Sequence, residues 1–175
     1  MIHSTDREGG SMSTNARIGI QKDPNAPVRS IYSHWDGYPA GVGRRLLDHW
    51  QDKDKIEQLI AGGDLSNLGE VIGEDRGTGW FDQTYKLPHD DPRRKECLFY
   101  GRDRGEEGVE ADRHPLDQWP SCGQEWEYLF DGTTGEWWGR EVGWGPYPTG
   151  KWTPLADLVR QDEERIEAYM AAQKS

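Results

Sequence analysis

Glu125-Trp126-Glu127-Tyr128-Leu129-Phe130, then Asp131-Gly132-Thr133-Thr134-Gly135, then Glu136-Trp137-Trp138-Gly139-Arg140: this stretch decides the fold. Two runs rich in aromatic residues flank a five-residue segment of turn formers, which reads as two antiparallel strands and their connection. Side chains alternate across a strand, so Trp126, Tyr128 and Phe130 share one face, and Trp137 and Trp138 return on the second strand. Aromatic rings in such a hairpin are core far more often than they are platforms for bases or sugars. The hairpin therefore predicts a sheet with one strongly apolar face.

Working outward, residues 17–21 and 28–36 form a second strand pair around the turn cluster Lys22-Asp23-Pro24-Asn25-Ala26-Pro27. Residues 96–101, with Cys97-Leu98-Phe99-Tyr100, give a further strand. Helical spacing of apolar residues appears at 42–50 (Leu46, Leu47, Trp50) and at 54–61 (Ile56, Leu59, Ile60), where Gly62-Gly63 ends the run. Leu65, Leu68, Val71 and Ile72 make one more helical turn or an irregular packed segment. Residues 73–95 and 102–123 read as loops, the first interrupted by an aromatic knot of Trp80, Phe81 and Tyr85. A last helix begins with Thr153 as N-cap and Pro154 at its first position; Leu155, Leu158, Val159, Ile166, Tyr169 and Met170 form its packing stripe. The expected architecture is α+β. An antiparallel sheet is built from two hairpins plus a central strand, with three to four helices including a C-terminal one. Residues 1–15 read as a flexible lead-in and 16–175 as one domain.

Composition narrows the function classes. The chain has 175 residues, a net charge of −11 and nine Trp, seven Tyr and three Phe. Its mean hydropathy of −0.99 would suit a disordered chain, but so many rings, each able to bury roughly 150–250 Å², argue for a folded core concentrated in few large residues. The acidic balance speaks against a duplex nucleic-acid binder, which needs cations to neutralise phosphates, and against an anionic membrane surface. No apolar run approaches bilayer length and no signal-peptide pattern opens the chain, so the expected location is cytoplasmic. Cys97 and Cys122 lie far apart without metal or redox spacing, as expected of reduced thiols. Phosphate-loop, dinucleotide, nucleophile-elbow and zinc motifs are all missing, so no cofactor and no metal are expected.

Two segments carry the chemistry. In Ser33-His34-Trp35-Asp36-Gly37-Tyr38-Pro39, His34 and Asp36 would point the same way from a strand. Such a pair orients an imidazole as a base, joins a third ligand around a metal, or simply hydrogen-bonds the loop. In Tyr100-Gly101-Arg102-Asp103-Arg104-Gly105-Glu106, two guanidinium forks flank Asp103 between glycines, a pattern that either grips an anion or pairs with its own acidic neighbours. Arg44 at a helix start could join such an anion site. The expected ligand-binding set is His34, Asp36, Tyr38, Arg44, Arg102, Asp103 and Arg104; His34 and Asp36 would be the catalytic pair if the protein were an enzyme.

These segments resemble an uncharacterised family of small proteins common in tailed-phage genomes and found in prophages and bacteria. The resemblance rests on Ala16-Arg17-Ile18-Gly19-Ile20, on Ser30-Ile31-Tyr32-Ser33-His34-Trp35-Asp36-Gly37-Tyr38-Pro39 followed by Gly41-Val42-Gly43, and on Leu46-Leu47. It continues through Gly63-Asp64-Leu65-Ser66-Asn67-Leu68-Gly69, Phe99-Tyr100-Gly101-Arg102-Asp103-Arg104-Gly105-Glu106 and Glu127-Tyr128-Leu129-Phe130-Asp131. The sequence departs at Gly101, where relatives often carry His. The resemblance implies an accessory protein acting in the cytoplasm of an infected host and supplies no reaction. Three functions follow as expectations. The first is non-enzymatic binding of a small anionic, nucleotide-like ligand or a host protein, which would modulate host metabolism or defence. The second is a nucleotide or phosphoester hydrolase using His34 and Asp36. The third is an acidic module covering a basic host surface. The acids are scattered, with no long continuous run, which weakens the third.

Overall fold

The structure, a computed structural model, describes residues 13–174. All its strands join one sheet. The first hairpin is β1 (Ala16–Gln21) and β2 (Val28–Ser33), paired antiparallel from Ala16 opposite Ser33 to Gln21 opposite Val28. The second is β6 (Trp126–Asp131) and β7 (Glu136–Glu141), from Trp126 opposite Glu141 to Asp131 opposite Glu136. The hairpins are joined by β1 and β6, which run parallel, Ala16 beside Trp126 and Gln21 beside Asp131. Beyond β2 come β3 (Leu65–Asn67) and β4 (Leu98–Phe99); beyond β7 comes β8 (Thr153–Pro154); β5 (Asp112–His114) also pairs with β2. The sheet is mostly antiparallel, with parallel joints at β1·β6 and β2·β3.

The α+β class and both hairpins agree with the sequence reading, and several details differ. The strand expected at 96–101 is two residues long and ends the sheet instead of lying at its centre, which β1 occupies. It stops because the Asp103 carboxylate accepts the Phe99 amide at 2.8 Å and the chain turns at once into α4 (Tyr100–Arg104). Thr153 does not cap the C-terminal helix. With Pro154 it pairs with β7, and α5 (Leu155–Gln173) starts one residue later without a side-chain cap. Leu65 and Ser66 form β3, not a helical turn. Of the lead-in, residues 1–12 lie outside the described part. Thr14 and Asn15 are tied down: their carbonyls accept the amides of Gly37 and Glu125, both at 2.8 Å.

Helical segments at 39–61 and the first half of α5 cover one sheet face. A π-helical turn, Pro39–Gly43, runs into α1 (Arg44–His49). α2 (Lys53–Ala61) follows, capped by the Asp52 carboxylate on the amides of Asp54 and Lys55, a cap that stabilises by about 1 kcal/mol. α3 (Trp80–Gln83) is a single turn in the segment read as a loop. Ile18, Ile20, Ile31, Tyr128 and Phe130 meet Leu46, Trp50, Ile56, Leu59 and Leu155 in one core. Trp50 is fully buried and its indole N–H donates to the Gly69 carbonyl at 3.0 Å; Trp137 donates likewise to the Trp50 carbonyl at 2.7 Å. A buried indole usually finds an acceptor for its N–H, as both of these do. Only the first half of α5 is in this core. Tyr169 and Met170, expected on its packing stripe, are exposed.

The opposite sheet face, to which alternation sends every second residue, mixes buried apolar side chains such as Val28 and Leu129 with buried polar ones. Arg17, Ser30 and Glu127 are buried between residues whose side chains enter the core. Arg17 donates to the Ser30 hydroxyl (3.1 Å) and carbonyl (2.8 Å) and to Asp112 (2.8 Å), so β5 is held over β2 by a buried charge. Among the described residues no helix is long and apolar enough to cross a membrane.

Candidate ligand cleft at the ends of β2 and β3

The sequence segments singled out for chemistry meet at one end of the sheet. Past Ser33, the amides of His34 and Trp35 donate to the carbonyls of Leu65 and Ser66, each at 3.1 Å, so the chain runs beside β3 for two further residues. The Tyr100 amide donates to the Asp64 carbonyl at 3.1 Å, and the Asp64 carboxylate accepts the Tyr32 amide at 2.9 Å. Burial raises the Asp64 carboxyl above its ordinary range.

His34 and Asp36 part company here. Asp36 has φ +58°, so the alternation that would aim it with His34 is broken. Its carbonyl accepts the Val42 amide at 2.8 Å and lies so near Gly41 that a Cβ there would sit 2.3 Å from it. Only glycine allows this approach. The Asp36 carboxylate faces Arg45 at 3.8 Å. His34 Nδ1 is instead 2.9 Å from the Tyr32 hydroxyl. Burial pushes the Tyr32 phenol up to about 12 and lowers the His34 imidazole, so the phenol keeps its proton, the ring is neutral and the two share a hydrogen bond. That ring sits edge-on to Trp35, centroids 4.8 Å apart at 81°, and sets the indole's orientation.

Trp35 borders a cleft of about 240 Å³ whose walls also include Ser66, Trp80, Tyr85 and Arg94. Trp35 is 45% and Tyr85 74% exposed, unusual for rings of this size in a well-packed fold. Trp80 is buried beneath the guanidinium groups of Arg76 and Arg93, 4.7 and 5.6 Å from its ring centre. Tyr85 leans on Phe81 (6.4 Å), which stacks on Tyr100 (5.8 Å, 25°), and Tyr100 hydrogen-bonds Ser66. The rim is basic. In the 3-10 turn Pro92–Lys95, Arg93 pairs with Asp91 at 2.7 Å, which holds that carboxyl down at about 2. Arg94 donates only to the carbonyls of Pro88 (2.8 Å) and Leu87 (2.6 Å) and forms no ion pair among the described residues.

The seven residues expected to bind do not form one site. Arg102 is consumed by the fold: it pairs with Asp103 at 2.8 Å, donates to the carbonyls of Ile72, Gly73 and Cys97, and lies over Phe99. Asp103 is fully buried. Arg104 is half exposed, sits over Phe81 and Tyr100 at 4.8 and 4.9 Å, and pairs with Glu106. Arg44 is clamped by Glu163 of α5 through bonds of 3.0 and 2.6 Å and joins no anion site with Arg102. Tyr38 and Asp36 border a different, wider groove of about 710 Å³ along α5. None of the seven lines the Trp35–Tyr85 cleft; His34 adjoins it through Trp35, and Trp35, Ser66, Tyr85 and Arg94 were not among the expected residues. Their signals were present in the sequence: an aromatic knot inside a loop, and Arg93-Arg94-Lys95, a basic run in an acidic chain. Among the described residues, no three His, Cys, Asp or Glu side chains are grouped so that they could hold a metal. Comparison with known proteins returns no match, whether to a family model, a curated protein or a solved structure.

Proposed function

We propose that the protein is a phage accessory protein that holds a small planar anion of the nucleotide type in the Trp35–Tyr85 cleft, without turning it over. One observation carries the reading: two exposed aromatic rings border the same cleft as a guanidinium group that has no carboxylate partner among the described residues. Stacking a base on an aromatic ring contributes about 1–3 kcal/mol and tolerates any base, and Arg94 supplies a fork for a phosphate. The cleft is smaller than the roughly 300–1,000 Å³ of drug-sized pockets. One ring system would enter, and its charged group would stay at the rim. Binding without turnover is favoured because His34 is bonded to Tyr32 and not to Asp36, which faces Arg45.

The phage setting and host-cytoplasmic location rest on the resemblance carried by residues 30–39, 63–69 and 99–106. In that setting, holding a nucleotide would withdraw it from host metabolism or defence signalling. The test is a titration of the full chain with mono-, di- and cyclic nucleotides, read by tryptophan fluorescence and calorimetry. At least one should quench and bind, and Trp35→Ala should remove both signals with the fold intact. Saturable binding that survives unchanged in Trp35→Ala would put the site elsewhere; no binding by any nucleotide would end the reading.

A further inference from the structure

Most polar side chains around the Trp35–Tyr85 cleft are committed to the fold. The Ser66 hydroxyl bonds Tyr100, and the Thr84 hydroxyl donates to the Phe81 carbonyl at 2.8 Å. Glu96 accepts both terminal nitrogens of Arg76, and Arg93 pairs with Asp91. Arg94 keeps its charge for the rim. Asn67 remains. It is half-buried and borders the cleft, and its side-chain amide makes no hydrogen bond among the described residues.

A break in β3 brings Asn67 there. Regular alternation would send it into the core with Leu65. Leu65 lies opposite Phe99, however, and Asn67 opposite Leu98, so Ser66 is an extra residue. Such a bulge interrupts alternation and re-aims side chains. Leu65 enters the core, while Ser66 and Asn67 both border the cleft. The Ser66 carbonyl also accepts the Trp35 amide at 3.1 Å, so the exposed ring and the free carboxamide start from hydrogen-bonded neighbours.

A carboxamide presents an acceptor and a donor side by side in one plane. It matches a ring edge that carries the same two groups, as when Asn pairs with adenine. Every nucleobase has such an edge, and a plain phenyl ring has none. A ring without it would cover the amide and leave it unpaired, which a polar site penalises strongly. We infer that Asn67 reads the edge of the ring stacked in this cleft, so that the site takes anions bearing a nucleobase and rejects other aromatic anions. This rests on the nucleotide reading proposed above and supplies its specificity.

The experiment is a calorimetric titration of the full chain with the adenine, guanine, cytosine and uracil nucleoside monophosphates. Phenyl phosphate, which has a ring and a phosphate without the edge, is titrated alongside. At least one nucleotide should bind the parent about tenfold more tightly than phenyl phosphate, and Asn67→Ala should remove that advantage. In Asn67→Asp a second acceptor replaces the donor. Guanine offers two adjacent donors on one edge and adenine offers none, so the ratio of guanine- to adenine-nucleotide affinity should rise by about tenfold. Asn67 holds nothing else in place, and both variants should keep the parent's circular dichroism. Nucleotides that need Trp35 but bind Asn67→Ala as tightly as the parent overturn this inference alone. So do phenyl phosphate binding as tightly as the nucleotides and an unchanged guanine-to-adenine ratio in Asn67→Asp. No nucleotide binding by the parent overturns both readings.

Discussion

Two arginine-bearing segments lie close together in the chain and are used in opposite ways. Arg102 and Asp103, on α4, are drawn into the interior; Arg93 and Arg94, on the 3-10 turn before β4, stay at the surface beside a cleft. The difference lies in what each neighbourhood must satisfy. Asp103 is fully buried because its carboxylate ends β4 by accepting the Phe99 amide, and a buried carboxylate demands a cation. Arg102 is that cation, and its other donors satisfy three loop carbonyls. Arg94 meets only two carbonyls of its own loop, so its charge remains available. An Arg-Asp-Arg string suggests anion binding, yet the pairing of its central acid decides the matter.

The comparison breaks most visibly in stability. Asp103→Ala strands Arg102 and frees the Phe99 amide, and should cost about 3–5 kcal/mol in a denaturant titration; Arg94→Ala should leave the midpoint nearly unmoved. If both variants were equally stable, the division between structural and displayed arginine would be wrong. Binding sharpens the same contrast from the other side. Trp35→Ala should lose about 1–3 kcal/mol of nucleotide affinity, and Arg94→Ala about tenfold. A folded Arg102→Lys variant should bind like the parent.

The effect of pH is smaller and acts in the same direction on the two sides of the sheet end, at His114 and at His34. His114 has its Nε2 2.7 Å from the Ser30 hydroxyl and its Nδ1 2.9 Å from the Pro115 carbonyl, and burial with nearby Arg17 lowers its affinity for a proton. The folded value thus lies below the ordinary value of about 6.5, and the unfolded chain takes up the proton first. The resulting stability is complete above about pH 6.5 and is lost as pH falls towards the folded value. His34 is shifted the same way. The melting temperature should therefore fall on mild acidification, and less so in His114→Gln. Losses from the paired carboxylates Asp91 and Glu96, whose values are lowered, belong to a separate and more acidic window. The smallest test counts thiols: burial pushes Cys97 up to about 12, whereas Cys122 is exposed. One thiol per chain should react with a disulfide reagent in the native protein, and two after denaturation.

The fold class, both hairpins, α2 with its glycine stop and the aromatic core were legible in the sequence, because each depends on spacing within a few residues: the two-residue alternation of 126–130, the helical stripe Ile56–Leu59–Ile60, the turn at 131–135. The segments at 33–39, 63–69 and 99–106 were also legible as unusual. That they share one sheet end was not. The junction rests on β2 beside β3 and β3 beside β4, pairings between strands distant in sequence that leave no local pattern. The same holds for the roles of individual side chains. Alternation placed His34 and Asp36 together, but it fails once the backbone passes into φ +58° at Asp36. The sequence by itself determined the two hairpins, α2 and most of the core, since local sterics and hydrophobic periodicity govern those choices. Only the tertiary structure decided which arginines were spent on buried carbonyls and carboxylates and which rings faced an open cleft, because burial of charge is settled by neighbours that the fold brings from afar.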